Sequence, residues 1–190
     1  CAPEDKRIGH DILIPPRGQA NAKLGQVVSV EIIDYPDSYR QAVGRVVEVL
    51  GEIDDPGMEI EIAVRKYGVP NEFSPAAMKE AEALPDEIRE EDLEGRVDLR
   101  DIPLVTIDGE DARDFDDAVY AKKTRTGWKL IVAIADVSHY VKPGTALDAE
   151  AQNRSTSVYF PEKVIPMLPE ILSNGLCSLN PNVDRLCMVC

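Results

Sequence analysis

Asp108, Asp114, Asp116 and Asp117 fall within ten residues, in the run Thr106-Ile107-Asp108-Gly109-Glu110-Asp111-Ala112-Arg113-Asp114-Phe115-Asp116-Asp117-Ala118. Carboxylates packed this closely repel one another unless they are protonated or bridged by a cation. Hard divalent ions are the usual bridge, and Mg²⁺ takes carboxylate oxygen together with water and phosphate. Asp114 and Asp116, two residues apart, share a side if the chain is extended, and Asp108 is delivered by the end of an apolar run. Such a set could hold two ions about 4 Å apart, one activating water and one stabilising a leaving oxygen.

Three other readings compete on spacing. A calcium loop needs a glycine at its sixth position, where the count from Asp114 reaches Val119. An aspartyl phosphatase places its paired aspartates at the end of an apolar strand, whereas Asp114 follows Glu110-Asp111-Ala112-Arg113. A solvated acidic loop is the third, and spacing alone leaves it open.

The elements that must position this loop come next. Pro103-Leu104-Val105-Thr106-Ile107 reads as a buried strand, and residues 128–135 as a second, nearly continuous in apolar character and therefore central. Trp128 reads as a core residue. Thr145 caps a helix expected over 146–154, with Asp148 in the capping-box position. Residues 169–174 read as one or two helical turns stopped by Gly175. Upstream, short β-runs at 11–14, 26–32, 44–50 and 58–64 are separated by turn chemistry at 15–18, 35–38 and 54–57. Four or five such strands suggest a small closed barrel of the oligonucleotide-binding kind. Between the two regions, Ser74 followed by Pro75 predicts a helix to about Leu84, and a second is expected from Pro85 to near Gly95. From Lys79 to Asp101 ten acids face four bases, a stretch that reads as a solvated linker.

The chain has 190 residues and a formal charge of −14. That balance argues against a nucleic-acid binder taken whole, but much of the deficit sits in the linker and the aspartate loop, where cations would offset it. No run approaches the roughly 18 apolar residues of a membrane span, and no charged segment precedes an apolar signal core. Cys187-x-x-Cys190 lacks the second Cys or His pair of a zinc site, since His10 and His139 lie far off. The cysteines read as reduced thiols in a cytoplasmic protein. The start at Cys1 and the apolar run to Cys190 read as the ends of a piece cut from a longer chain.

The aspartate run resembles the signature of the ribonuclease II / ribonuclease R family. Ile134-Ala135-Asp136-Val137-Ser138-His139-Tyr140-Val141 and Asn153-Arg154-Ser155-Thr156-Ser157-Val158-Tyr159-Phe160-Pro161 resemble it too, as do Pro166-Met167-Leu168-Pro169 and Leu172-Ser173-Asn174-Gly175-Leu176-Cys177-Ser178-Leu179-Asn180-Pro181. These matches keep the family's order over roughly residues 96 to 190. Pro3-Glu4-Asp5-Lys6-Arg7 and Asp11-Ile12-Leu13-Ile14-Pro15 are similar to the family's second cold-shock domain. The resemblance implies a β-rich α+β chain: an OB-fold-like cold-shock β-barrel at 1–72, an acidic helical connector at 73–100, and the N-terminal part of an RNB catalytic domain at 101–190.

It further implies a processive, hydrolytic 3′-to-5′ exoribonuclease that uses Mg²⁺, with Mn²⁺ as substitute, and releases 5′-nucleotides. Asp108, Asp114, Asp116 and Asp117 match its catalytic, metal-binding aspartates, and Tyr159 matches the tyrosine that holds the 3′-terminal nucleotide. The implied substrate is single-stranded RNA or a 3′ overhang, with no DNA and no membrane, and the implied full-length enzyme is a monomer. Lacking the first cold-shock domain, the distal arginine and glutamate and the S1 region, the piece alone is expected to be inactive. Asp136 and His139 read as orienting residues. Lys6, Arg7, Arg17 and Lys23 are candidate phosphate contacts, and Tyr35, Tyr39 and Tyr67 are either base platforms or barrel packing. The alternative is a non-catalytic RNA-binding protein that keeps the acidic loop as a structural cation site.

Overall fold

The computed structural model describes residues 1–190, which divide into two units, Cys1–Val69 and Pro70–Cys190. In the first, β-branched residues extend the chain into β1 (Gln26–Asp34) and β2 (Val43–Glu52), paired antiparallel from Gln26↔Glu52 to Asp34↔Val43. The connecting loop is held by Asp37, whose carboxylate accepts the amides of Tyr39 and Arg40 at 2.8 and 2.9 Å. The strands approach closely at Gly44, where a Cβ would lie 2.5 Å from the Val30 side chain.

Two expected strands of this unit take other forms. Residues 11–14 contribute a single parallel bridge, Leu13↔Val43, so the sheet does not close into a barrel. Residues 58–64 are helical: α1 spans Met58–Lys66 and follows Gly57 in the left-handed region at φ 80°. The apolar residues of this run alternate like a strand, but its charges are arranged for a helix. Glu59 and Glu61 occupy the first turn and Arg65 and Lys66 the last, which suits the helix dipole, and Glu61 pairs with Arg65 one turn on at 2.7 Å.

The second unit opens with α2 (Pro75–Glu82), capped by Ser74, whose hydroxyl accepts the Ala77 amide at 3.3 Å. Ala77 and Ala81 are fully buried and let α2 pack closely on α4 (Ala146–Arg154). The expected second connector helix reduces to a 3-10 turn, Glu90–Leu93, because Asp92 folds back to accept the Arg89 amide at 2.9 Å. Nor is the connector simply solvated. Glu80 accepts the Ala146 and Leu147 amides at 3.0 and 2.9 Å, satisfying two free donors at the start of α4. Asp92 is buried.

The sheet of this unit joins β3 (Asp117–Lys123), β4 (Trp128–Ala135) and β7 (Cys187–Val189) antiparallel, with β4 in the middle. Along β4, Ile131, Ala133 and Ala135 are buried, while Leu130 and Ile134 face outward. Trp128 is 70% exposed at the strand's start, which corrects its reading as core. The expected strand at 103–107 makes one bridge, Val105↔Val119, and then diverges, leaving Ile107 83% exposed. The core lies behind the sheet, where Ala135, Tyr140, Leu147, Leu168, Leu172 and Leu186 meet the buried alanines of α2. The turn expected before Gly175 is a wide helical turn, Ile171–Leu176, closed by the Cys177 amide on the Leu172 carbonyl at 2.8 Å. All four cysteines are free. Cys177 is buried and its thiol is pushed up to about 12 by that burial, whereas Cys1 and Cys190 are exposed.

Candidate active site

The aspartates sit in the loop that leads from the Val105 bridge into β3. Asp117 begins β3 opposite Ile134, and the Ala135 amide donates to the Asp116 carbonyl at 2.9 Å. This anchors the loop's end to the middle strand; Asp114 is half-buried, and Asp116 is exposed as a residue although neighbouring groups partly desolvate its carboxyl. Burial raises the Asp116 pKa above its ordinary value, and the charges of Asp114, Asp117 and Asp108 raise it further. Three of the aspartates singled out from the sequence thus bear electrostatically on the fourth, Asp116.

Tyr159 reaches Asp114 from another element. After α3 (Val137–Tyr140) and α4, the chain forms a small hairpin of β5 (Val158–Tyr159) and β6 (Val164–Ile165). The Tyr159 hydroxyl donates to Asp114 Oδ2, and this bond, followed by burial, raises the tyrosine's pKa. The residue is 62% exposed, so its ring is open to a ligand. The hairpin is fastened at its base. The Met167 amide donates to Ser157 Oγ at 3.0 Å, and buried Arg154 donates to the carbonyls of Pro70 and Pro166 at 2.9 and 3.2 Å. The Arg154 guanidinium also lies 3.6 Å from the Phe73 ring centroid, a favourable cation–π placement.

Asp136 and His139 belong to a hydrogen-bonded network built on two buried carboxylates, Asp92 and Asp136. Arg96 Nη2 donates to Asp136 Oδ2 at 2.7 Å, and the Ser138 hydroxyl to Oδ1 at 2.7 Å. Burial pushes the Asp136 pKa up, but these two bonds outweigh it and hold the carboxyl below the usual range. His139 Nε2 lies 2.9 Å from Asp92 Oδ1 and its Nδ1 lies 3.4 Å from Arg96 Nη2. A carboxylate can only accept and a guanidinium only donate, so the imidazole is assigned a proton on Nε2. Asp92 is held well below the ordinary carboxylate range, chiefly by the Arg89 guanidinium. These residues orient elements, as expected of Asp136 and His139. His139 sits in a short helical turn, α3.

The loop is gripped by residues that the sequence reading did not single out. Ser178 donates to the Arg113 carbonyl at 2.7 Å and accepts the Phe115 amide at 3.1 Å. The Leu179 amide donates to the Phe115 carbonyl at 2.9 Å. One sequence signal was available: Ser178 is a hydroxyl inside the apolar run Leu176-Cys177-Ser178-Leu179, and a buried hydroxyl needs partners.

The donors fit a hard divalent cation in kind, since every one is a carboxylate oxygen, and the raised Asp116 shows negative charge that a cation would offset. They are not drawn into a finished cage. No three His, Cys, Asp or Glu side chains converge closely enough to hold an ion by themselves. In the first unit, Tyr35, Tyr39 and Tyr67 are all exposed, which removes barrel packing as their role. Arg7 is engaged by Asp5 at 2.5 Å. No helix is long and apolar enough to cross a membrane.

Comparison with known proteins matches residues 96–190 to the RNB domain model and residues 1–74 to the cold shock domain model. The chain is 61% identical to ribonuclease R of Vibrio cholerae serotype O1, and 60% identical to that of Escherichia coli strain K12. Each match covers 99% of this chain and 23% of the relative, so the chain spans about a quarter of their length. Among solved structures, Mycoplasma genitalium RNase R in complex with double-stranded RNA superimposes with a TM-score of 0.86 at 35% identity. That match covers 94% of this chain and 32% of the other. These matches agree with the fold class read from the sequence, a cold-shock unit followed by an α+β RNB domain.

Proposed function

The chain belongs to the ribonuclease II / ribonuclease R family, and we propose that it serves a processive, hydrolytic 3′-to-5′ exoribonuclease that releases 5′-nucleotides from RNA. The observation that carries this reading is the Tyr159 hydroxyl bonded to Asp114 in a loop whose Asp108, Asp114 and Asp117 all bear electrostatically on Asp116.

Asp108, Asp114, Asp116 and Asp117 would hold Mg²⁺, or Mn²⁺ in its place. The ion would supply an activated water and charge stabilisation for the leaving oxygen. The rest falls to the protein's own groups. The charges of its three neighbours disfavour the Asp116 carboxylate, and positive charge would offset them. Tyr159 is tethered at its hydroxyl and open at its ring, a suitable platform for the 3′-terminal base whatever its identity. The exposed tyrosines of the first unit offer further stacking surface for single-stranded RNA or a 3′ overhang. The free cysteines support a reducing compartment such as the cytoplasm. A purely RNA-binding role is less well supported, because it gives no reason to gather four carboxylates where phosphate must approach.

The test is directional. An RNA oligonucleotide labelled at its 5′ end, incubated with the natively expressed protein and Mg²⁺, is expected to shorten stepwise from the 3′ end, and a chelator to stop it. Internal cuts, or loss of label that is indifferent to chelation, would overturn the proposal.

A further inference from the structure

Ser178 is completely buried, at 0% exposure, and its hydroxyl makes two bonds to the backbone on either side of Asp114. Their directions are fixed by chemistry. The Arg113 carbonyl can only accept, so the hydroxyl proton goes there, and a lone pair is left for the Phe115 amide. The residue is itself held from behind: Arg185 Nε donates to the Ser178 carbonyl at 3.0 Å and to the Gly175 carbonyl at 2.9 Å. The Leu179 amide on the Phe115 carbonyl and the Ala135 amide on the Asp116 carbonyl complete the arrangement. Arg113, Phe115 and Asp116 are thus each tied to atoms outside the loop, while Asp114 between them presents its carboxylate to Tyr159.

An alanine or cysteine would fill most of the same space among apolar neighbours without the cost of burying a hydroxyl. The hydroxyl earns its place only through the loop. We propose that Ser178 is a positioning residue for the aspartate site: its hydroxyl fixes the backbone about Asp114, and so orients that carboxylate. This rests on the reading of the aspartates as cation ligands. A group that orients a ligand in this way typically accounts for about 10- to 100-fold in metal affinity.

The test uses the whole chain with Mn²⁺ as probe, read by electron paramagnetic resonance, beside amide hydrogen exchange. Ser178→Ala is expected to raise the half-saturating Mn²⁺ concentration about tenfold or more. It should also speed exchange at the Phe115 amide while the β3–β4 amides keep their protection. Asp116→Asn should lose Mn²⁺ binding with the Phe115 amide still protected. Should Ser178→Ala fail to fold, Ser178→Cys keeps the packing with a much weaker hydrogen-bonding group and is expected to weaken Mn²⁺ binding too. Wild-type Mn²⁺ affinity in the folded Ser178 variant, alongside a loss in Asp116→Asn, would make Ser178 a packing residue and overturn the proposal. Undiminished binding in Asp116→Asn would instead overturn the cation-site reading on which it rests.

Discussion

Asp116 is the aspartate of the loop whose charged form folding disfavours. Its folded pKa lies above the ordinary value of 3.8, so the folded chain keeps this proton where the unfolded chain has lost it. The sign follows. The charged form is disfavoured by folding, and the contribution this group makes below 3.8 is lost as pH rises through the raised value. A cation reverses the balance by favouring the carboxylate, so binding should drive off a proton. Calorimetry of Mn²⁺ binding in buffers of differing ionisation heat should detect proton release at and below the raised pKa that fades as the pH rises well above it. Identical heats in every buffer would contradict the coupling.

Tyr159 allows a second test at this scale, because its hydroxyl and its ring do different things. The hydroxyl meets Asp114 and the ring is open. Base stacking on an aromatic ring is worth about 1–3 kcal/mol. Tyr159→Ala in the natively expressed enzyme is therefore expected to leave a longer limit product while long RNA is still degraded. Tyr159→Phe should keep the wild-type limit product. An oligonucleotide ladder checks both, and an unchanged end product in Tyr159→Ala would leave the ring a packing role alone.

Among the elements, the network of Arg96, Asp136, Ser138, His139 and Asp92 couples the connector to the chain just beyond β4. Asp136 has a lowered folded pKa, so its contribution to stability is present above 3.8 and lost as pH falls through the folded value. Replacing it by Asn leaves Arg96 without its charged partner, and should cost about 2 kcal/mol near neutral pH by the usual cost of a broken charge-assisted bond. Urea denaturation should show that gap narrowing in acid, once the wild-type carboxyl is itself protonated. A gap independent of pH would mean that shape and not charge holds the network.

What could be read from the sequence at this scale follows the range of the cause. The starts of α2 and α4 were legible because Ser74 and Thr145 act on amides three residues away. Residues 58–64 alternate in apolar character like a strand, but the charge order of their ends favours a helix. The run at 103–107 misled because apolar composition does not reveal that only Val105 finds a partner. Within the site, the aspartates stood out by charge density, but Tyr159 came from resemblance alone. Ser178, Glu80 and Asp92 were missed because their partners lie 65, 66 and 47 residues away. No local pattern records such bonds.

For the whole molecule, the charge of −14 opposes an RNA substrate unless the negative groups have other uses. The structure supplies such uses. Glu80 caps a helix, Asp92 and Asp136 are matched by arginines, and the aspartate loop gathers charge that a cation would offset. The central claim is that these aspartates serve catalysis and not adhesion, and a single substitution separates the two. In the natively expressed protein, Asp116→Asn removes a charged cation ligand but makes the site less repellent to phosphate. Turnover on single-stranded RNA is expected to fall by at least about a hundredfold, while the Kd for the same RNA stays within about threefold of wild type, a change of under 1 kcal/mol. Turnover close to wild type in the folded Asp116→Asn protein would contradict the account.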